Sequence, residues 1–268
     1  MKQNDRLRQI AVLISAIIAL IGAFIGSGAA GGTPIAEASG GALSADATPV
    51  APDGPAFGIW SVIYAGLIAY AIWQLLPAQT TAARHRRLGY PIALSLILNA
   101  AWILSVQFDL LWASVPVIVI LLIVLIGAFR ITLASRPRNL IDGIVTDGTV
   151  GLYLGWVTIA TVANTAAVLA ASGFDGFGIS PDVWGVLLIL VAGVIGIALA
   201  LYSRGRLAPS AALSWGIAWV AVGRLTGDLL STPTAIASIV VVIALVLATI
   251  IIRVRAPRPL PERTTATR

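Results

Sequence analysis

The sequence predicts an all-α integral membrane protein with eight transmembrane helices. Three observations carry this prediction. Of 268 residues, 59% are hydrophobic and only 10% charged, against about 25% charged in a soluble domain. Apolar runs recur at about 9–27, 57–76, 89–107, 111–130, 148–171, 183–203, 208–229 and 234–253; each is near the ~20 residues that cross a bilayer as a helix. Finally, 16 of the 17 Lys and Arg fall before the first run, after the last, or in every second connection between runs; only Arg224 falls elsewhere. Positive charge is retained on the cytoplasmic side, so both termini are expected there. The formal charge of +6 then reflects membrane topology and not nucleic-acid binding.

Composition also excludes chemistry. The chain has no cysteine and one histidine, so no disulfide, thiolate ligand or multi-histidine metal site can form within it. His85 sits among Arg84, Arg86 and Arg87 and is expected to be solvated or at headgroup level.

Taken in order, the first run follows Lys2, Arg6 and Arg8 and is too long for the apolar core of a signal peptide. It is read as an uncleaved helix. Gly22 and Gly26 within it allow close helix packing. Residues 27–56 are rich in Gly, Ala, Ser and Pro and carry three acids, the composition of a flexible loop on the outer side. Their length suits a lid.

The second run opens with Phe57, Trp60 and Tyr64; Trp60 and Tyr64 share a helix face, as binding residues or as part of an interfacial aromatic belt. Trp73, Trp112 and Trp184 are expected in that belt. The third run places Pro91 at its start and Asn99 and Trp102 three apart near its middle. An amide in hydrocarbon needs an internal partner, either a ligand or a neighbouring helix. The fourth run, with Pro116, is otherwise featureless.

In the fifth run Tyr153, Trp156, Ala160 and Asn164 are spaced three, four and four apart, along one helix face. Given the direction of each run, Trp60, Tyr64, Asn99, Trp102 and Asn164 all fall in the outer half of the membrane. Matching depth predicts one cavity beneath the 27–56 loop. The sixth and eighth runs are nearly uniform Leu, Ile, Val and Ala. In the seventh, Arg224 and Asp228 are spaced for a local ion pair. The tail 257–268 is rich in Pro and charge and is expected to be disordered.

Three stretches, FGIWSVIY at 57–64, LNAAW at 98–102 and YLGWVTIATVAN at 153–164, resemble the TspO/MBR family of tryptophan-rich sensory proteins, to which the mitochondrial translocator protein is related. The resemblance covers residues 9–172. It implies a five-helix bundle with a cavity for tetrapyrroles and drug-like molecules, closed by the loop after the first helix. It implies ligand contacts from Trp60, Tyr64, Asn99, Trp102, Tyr153, Trp156, Ala160 and Asn164, and a homodimer. No cofactor is required; the ligand would be a porphyrin or haem-type molecule. The chain departs from the family pattern at Leu152, where a Pro is usual, and before the second helix, where Pro52 and Pro55 stand in place of a Trp- and Pro-rich segment. The Tyr and Arg of a sterol-recognition pattern after Asn164 are absent, so sterol binding is not implied. The expected organisation is a TspO-like bundle over 1–172, three additional helices over 173–256, and the tail.

Three functions are consistent with this reading. The first is a bacterial membrane sensor or carrier for porphyrin-like molecules, binding on aromatic faces with amides at their edges. The second is light- and oxygen-dependent porphyrin degradation; no nucleophile–base pair or carboxylate pair lies in the spans to support other catalysis. The third is an ion-coupled transporter, for which Arg224 and Asp228 are the nearest candidates.

Overall fold

The computed structural model describes residues 2–28 and 33–256. The tail 257–268 and loop residues 29–32 lie outside the described residues. Eight long helices make up the described chain, and no strand occurs among the described residues. They are α1 (Lys2–Gly26), α2 (Ile59–Trp73), α3 (Ala83–Gln107), α4 (Leu111–Ala134), α5 (Thr149–Ala171), α6 (Pro181–Tyr202), α7 (Leu207–Thr226) and α8 (Thr232–Arg255). Seven of the eight are long and apolar enough to cross a membrane; α7 is the exception. It carries Ser210, Ser214 and Arg224, all buried, because it packs between α5 and α8 with further contact to α6. A helix enclosed by other helices has less need of an apolar perimeter.

α1 and α4 flank α3, α4 leads to α5, α5 packs on α7, α7 on α8, and α8 on α6; α2 fills the space between α1 and α5. Small residues permit these approaches. A Cβ on Gly155 would run into the carbonyl of Pro209, and one on Gly151 would come within 2.8 Å of Ala208 Cβ. α7 therefore occupies the small-residue face of α5, and α6–α8 are packed onto the first five helices. Gly22 and Gly26 face Ala100 and Ile103 of α3, so this glycine pair serves packing within the chain.

Helix ends differ from the apolar runs where charge sits on helical backbone. α3 begins at Ala83, so Pro91 lies inside the helix and Arg84, Arg86 and Arg87 belong to its first turns. α5 is preceded by a short helix, Leu140–Asp142, and a π-helical turn, Gly143–Gly148. α6 and α8 start on serine caps, Ser180 and Ser231, whose hydroxyls accept from Val183 N and Thr234 N.

The bundle end that carries the basic connections is closed by a buried charged cluster. Arg84 pairs with Asp147 and lies 3.9 Å from Asp142; Arg206 also pairs with Asp147. Asp142 accepts from Thr146 Oγ1 at 3.0 Å and from Arg138 N at 3.0 Å. Two arginines facing two aspartates leave the cluster neutral, the condition for burying ions. Asp142 immediately precedes the π-helical turn and Asp147 lies within it. Arg8 reaches Gln74 Oε1, His85 O and Thr80 O at 3.0–3.1 Å. His85 is a correction to the solvent-facing expectation: it is 1% exposed, with Nε2 at 3.5 Å from Asp142 Oδ1 and its ring on Tyr70. It begins a buried helix turn, where its arginine neighbours in sequence do not imply exposure.

Candidate functional site

At the opposite end, residues 33–56 form a roof over the helices. Sequence composition predicts a flexible loop; the described part is packed. Thr48, Val50, Ala51 and Ala56 are buried. Ser39 Oγ donates to Val106 O at 2.9 Å, Gln107 Nε2 to Thr33 O at 2.6 Å, and Ile35 N to Gly26 O at 3.1 Å. Asp53 caps the turn Gly54–Gly58 that leads into α2. Composition misleads here because small residues leave the backbone accessible to side chains of other helices. In the same segment Ser44 Oγ donates to Asp46 Oδ1 at 2.6 Å, and this bond holds the Asp46 carboxyl below its ordinary range.

Beneath the roof lies a two-lobed cavity. The larger lobe, about 490 Å³, is bordered by Ala23 and Gly26 of α1, Ser61 and Tyr64 of α2, and Ile103 of α3. The smaller, about 60 Å³, is bordered by Ile118 and Leu121 of α4 and by Trp156, Ala160 and Asn164 of α5. Ile35, Leu43, Phe57, Trp60, Asn99 and Trp102 border both. Seven of the eight residues proposed from sequence thus reach this cavity. Tyr153 does not. It stands one layer back, 1% exposed, with its ring 5.8 Å from that of Trp60 and its hydroxyl donating to Ser95 O at 3.3 Å.

Trp60 is the hub of the aromatic wall. Its ring meets Tyr64 at 5.4 Å and Trp156 at 6.3 Å, the latter edge to face; Phe57 meets Trp156 at 5.7 Å, also edge to face. Trp60 and Tyr64 therefore line a cavity. Trp112 is 63% exposed. Trp184 donates to Gly176 O at 3.0 Å.

The two amides are held differently. Asn99 Oδ1 accepts from the Tyr64 hydroxyl at 2.6 Å. Asn164 Oδ1 accepts from Trp102 Nε1 at 3.2 Å, and its Nδ2 donates to Ser114 Oγ at 3.0 Å. Interhelical bonding and cavity lining, set against each other in the sequence, are thus combined in one residue. Sequence reasoning missed Ser114, because a lone serine in an apolar helix gives no signal until its partner is known. Trp156 shows the reverse condition: it is 2% exposed, and its buried Nε1 has no hydrogen-bond partner among the described residues. Such an orphan donor is uncommon in a folded interior.

Arg224 corrects a further expectation. It forms no ion pair with Asp228 among the described residues. It is 1% exposed and donates to the carbonyls of Thr48, at 3.1 Å, and Ala45. The i, i+4 spacing on α7 is outcompeted by roof carbonyls supplied from across the bundle. No group of three or more metal-ligating side chains occurs among the described residues.

Fold and cavity together define a multi-pass integral membrane protein in which a helical bundle encloses an aromatic–amide pocket under a loop. The family model for TSPO-like proteins matches residues 11–253, and the chain belongs to that family. The match extends through α6–α8, well beyond the motifs within 9–172. No curated protein and no solved structure gives a significant match.

Proposed function

We propose that this protein binds a flat, apolar, tetrapyrrole-like molecule in the two-lobed cavity and serves as a membrane sensor or carrier for it. The observation that carries the reading is the convergence of α2, α3 and α5 on one space. Trp60, Trp102 and Trp156 border it with indoles, and Asn99 and Asn164 border it with amides. The larger lobe falls within the range of about 300–1,000 Å³ usual for small-molecule sites. In this reading the ligand plane lies in the larger lobe against Trp60, and a carbonyl or carboxylate edge extends past it to the Trp156 N–H. That contact would satisfy a donor that is otherwise buried at a cost of about 1–3 kcal/mol. The basic end faces the cytoplasm of a bacterial cell, following the distribution of Lys and Arg, and the cavity lies in the outer half of the membrane.

The test is a titration of the detergent-solubilised protein with protoporphyrin IX, followed by tryptophan quenching. Saturable quenching is expected, and it should weaken at least tenfold in Trp156→Phe combined with Asn164→Ala. Quenching that is absent, or identical in the double variant, would overturn the proposal.

A further inference from the structure

The roof is held by more than the five helices that carry the sequence motifs, whose α1 and α3 bond its first half. Its second half, residues 45–56, is tied to α7 at successive points along that helix. Arg224 donates to Ala45 O and, at 3.1 Å, to Thr48 O; Trp219 O accepts from Asp53 N at 3.2 Å; Trp215 Nε1 donates to Ala56 O at 2.9 Å. α6 adds a close contact, since a Cβ on Gly185 would come within 2.9 Å of Pro49 Cβ. The same segment borders the cavity: Ala51 and Pro52 face the smaller lobe, and Ala45 and Gly54 the larger.

Arg224 gives this attachment its strength. No carboxylate pairs with it among the described residues, and its Nε is buried without a partner. Two roof carbonyls are its acceptors. Lifting the roof exchanges two charge-assisted bonds to its carbonyls for water, so the guanidinium favours closure by the net worth of those bonds.

We propose that α7 is the anchor of the cavity roof and that Arg224 is a positioning residue, setting how long a ligand stays beneath residues 45–56. The effect on residence rests on the binding function proposed above; the anchoring does not. The additional helices thereby fix one wall of the site built by the first five.

The experiment is hydrogen–deuterium exchange on the ligand-free, full-length protein, with protoporphyrin IX dissociation measured in parallel. In Arg224→Ala, amides within 45–56 should exchange at least tenfold faster, since each charge-assisted bond lost is worth about a factor of ten in an opening equilibrium. Amides of α3 and α5 should be unchanged. Arg224→Lys, able to keep a carbonyl contact, should fall between. Trp215→Phe removes one bond from a half-exposed side chain and leaves Arg224 in place; it should raise exchange a few-fold around residues 53–58. Porphyrin dissociation should quicken in step with roof exchange. Unchanged exchange in 45–56 in Arg224→Ala and Trp215→Phe, or acceleration spread evenly over the bundle, would overturn the anchor. Roof exchange that quickens while dissociation does not would leave the anchor standing and remove its control of residence. Failure of the wild type to bind porphyrin would count against the binding function alone, because the exchange measurement needs no ligand.

Discussion

Replacing Trp156 with Phe separates a binding residue from a packing residue. The substitution removes three ring atoms, two carbons and the N–H nitrogen. At about 0.8 kcal/mol per buried carbon, the lost packing costs about 2 kcal/mol. The N–H is already buried without an acceptor, so its removal returns about 1–3 kcal/mol. The two terms nearly cancel, and the folded protein should change in stability by no more than about 1 kcal/mol. Phe keeps the edge contacts with Phe57 and Trp60, now at 5.7 and 6.3 Å. Ligand affinity should respond differently. A bond from the indole to a ligand carboxylate is worth about 1.5–3 kcal/mol, which corresponds to a loss of about 10- to 100-fold in Kd. Denaturant unfolding in detergent reads the first quantity and porphyrin titration the second. A stability loss of about 3 kcal/mol or more with unchanged affinity would refute the reasoning and make Trp156 a core residue.

Other substitutions follow from the same geometry. Trp102→Phe should destabilise by about 0.6–1.7 kcal/mol, the range for an interhelical bond in a membrane, because it leaves Asn164 Oδ1 short of its indole donor; thermal unfolding checks this. Asp147→Asn should cost about 3–5 kcal/mol in denaturant unfolding, since Arg84 and Arg206 both rely on that carboxylate. Gly155→Val should disrupt α5–α7 packing, its side chain meeting the Pro209 backbone, and should lower the melting temperature more than Gly127→Val, which meets nothing. The roof bond from Ser44 to Asp46 should be acid-sensitive. A carboxyl held below its ordinary range stabilises above that range and loses the effect as pH falls through its lowered value. Ser44→Ala should therefore speed roof exchange at pH 7 and make little difference once the pH has fallen below that lowered value.

The helices are legible in the sequence because membrane crossing imposes long apolar runs, and the alternation of Lys and Arg sets their direction. Depth alone brings Asn99, Trp102 and Asn164 to one level, and the structure places all three on one cavity. Periodicity does not distinguish Tyr153 from its neighbours: it shares their face, yet Trp60 stands between it and the cavity. The role of His85 is hidden because its partner Asp142 lies 57 positions later, next to a π-helical turn that no apolar pattern marks. Arg224 misleads for a related reason. A carboxylate four residues away is visible in sequence; two carbonyls from a loop some 180 residues earlier are not. The roof shows the limit of composition, since Gly, Ala and Ser describe a loop without saying what its backbone meets.

The central claim is that rings and amides from α2, α3 and α5 form one ligand site beneath residues 33–56. A structure determined with protoporphyrin IX bound tests it most directly. The account predicts the macrocycle against Trp60, with Tyr64 and Asn99 at its border and an acceptor edge within hydrogen-bond distance of Trp156 Nε1. A macrocycle seated elsewhere on the bundle, with Trp60 and Trp156 unmoved and the cavity closed to it, would contradict it.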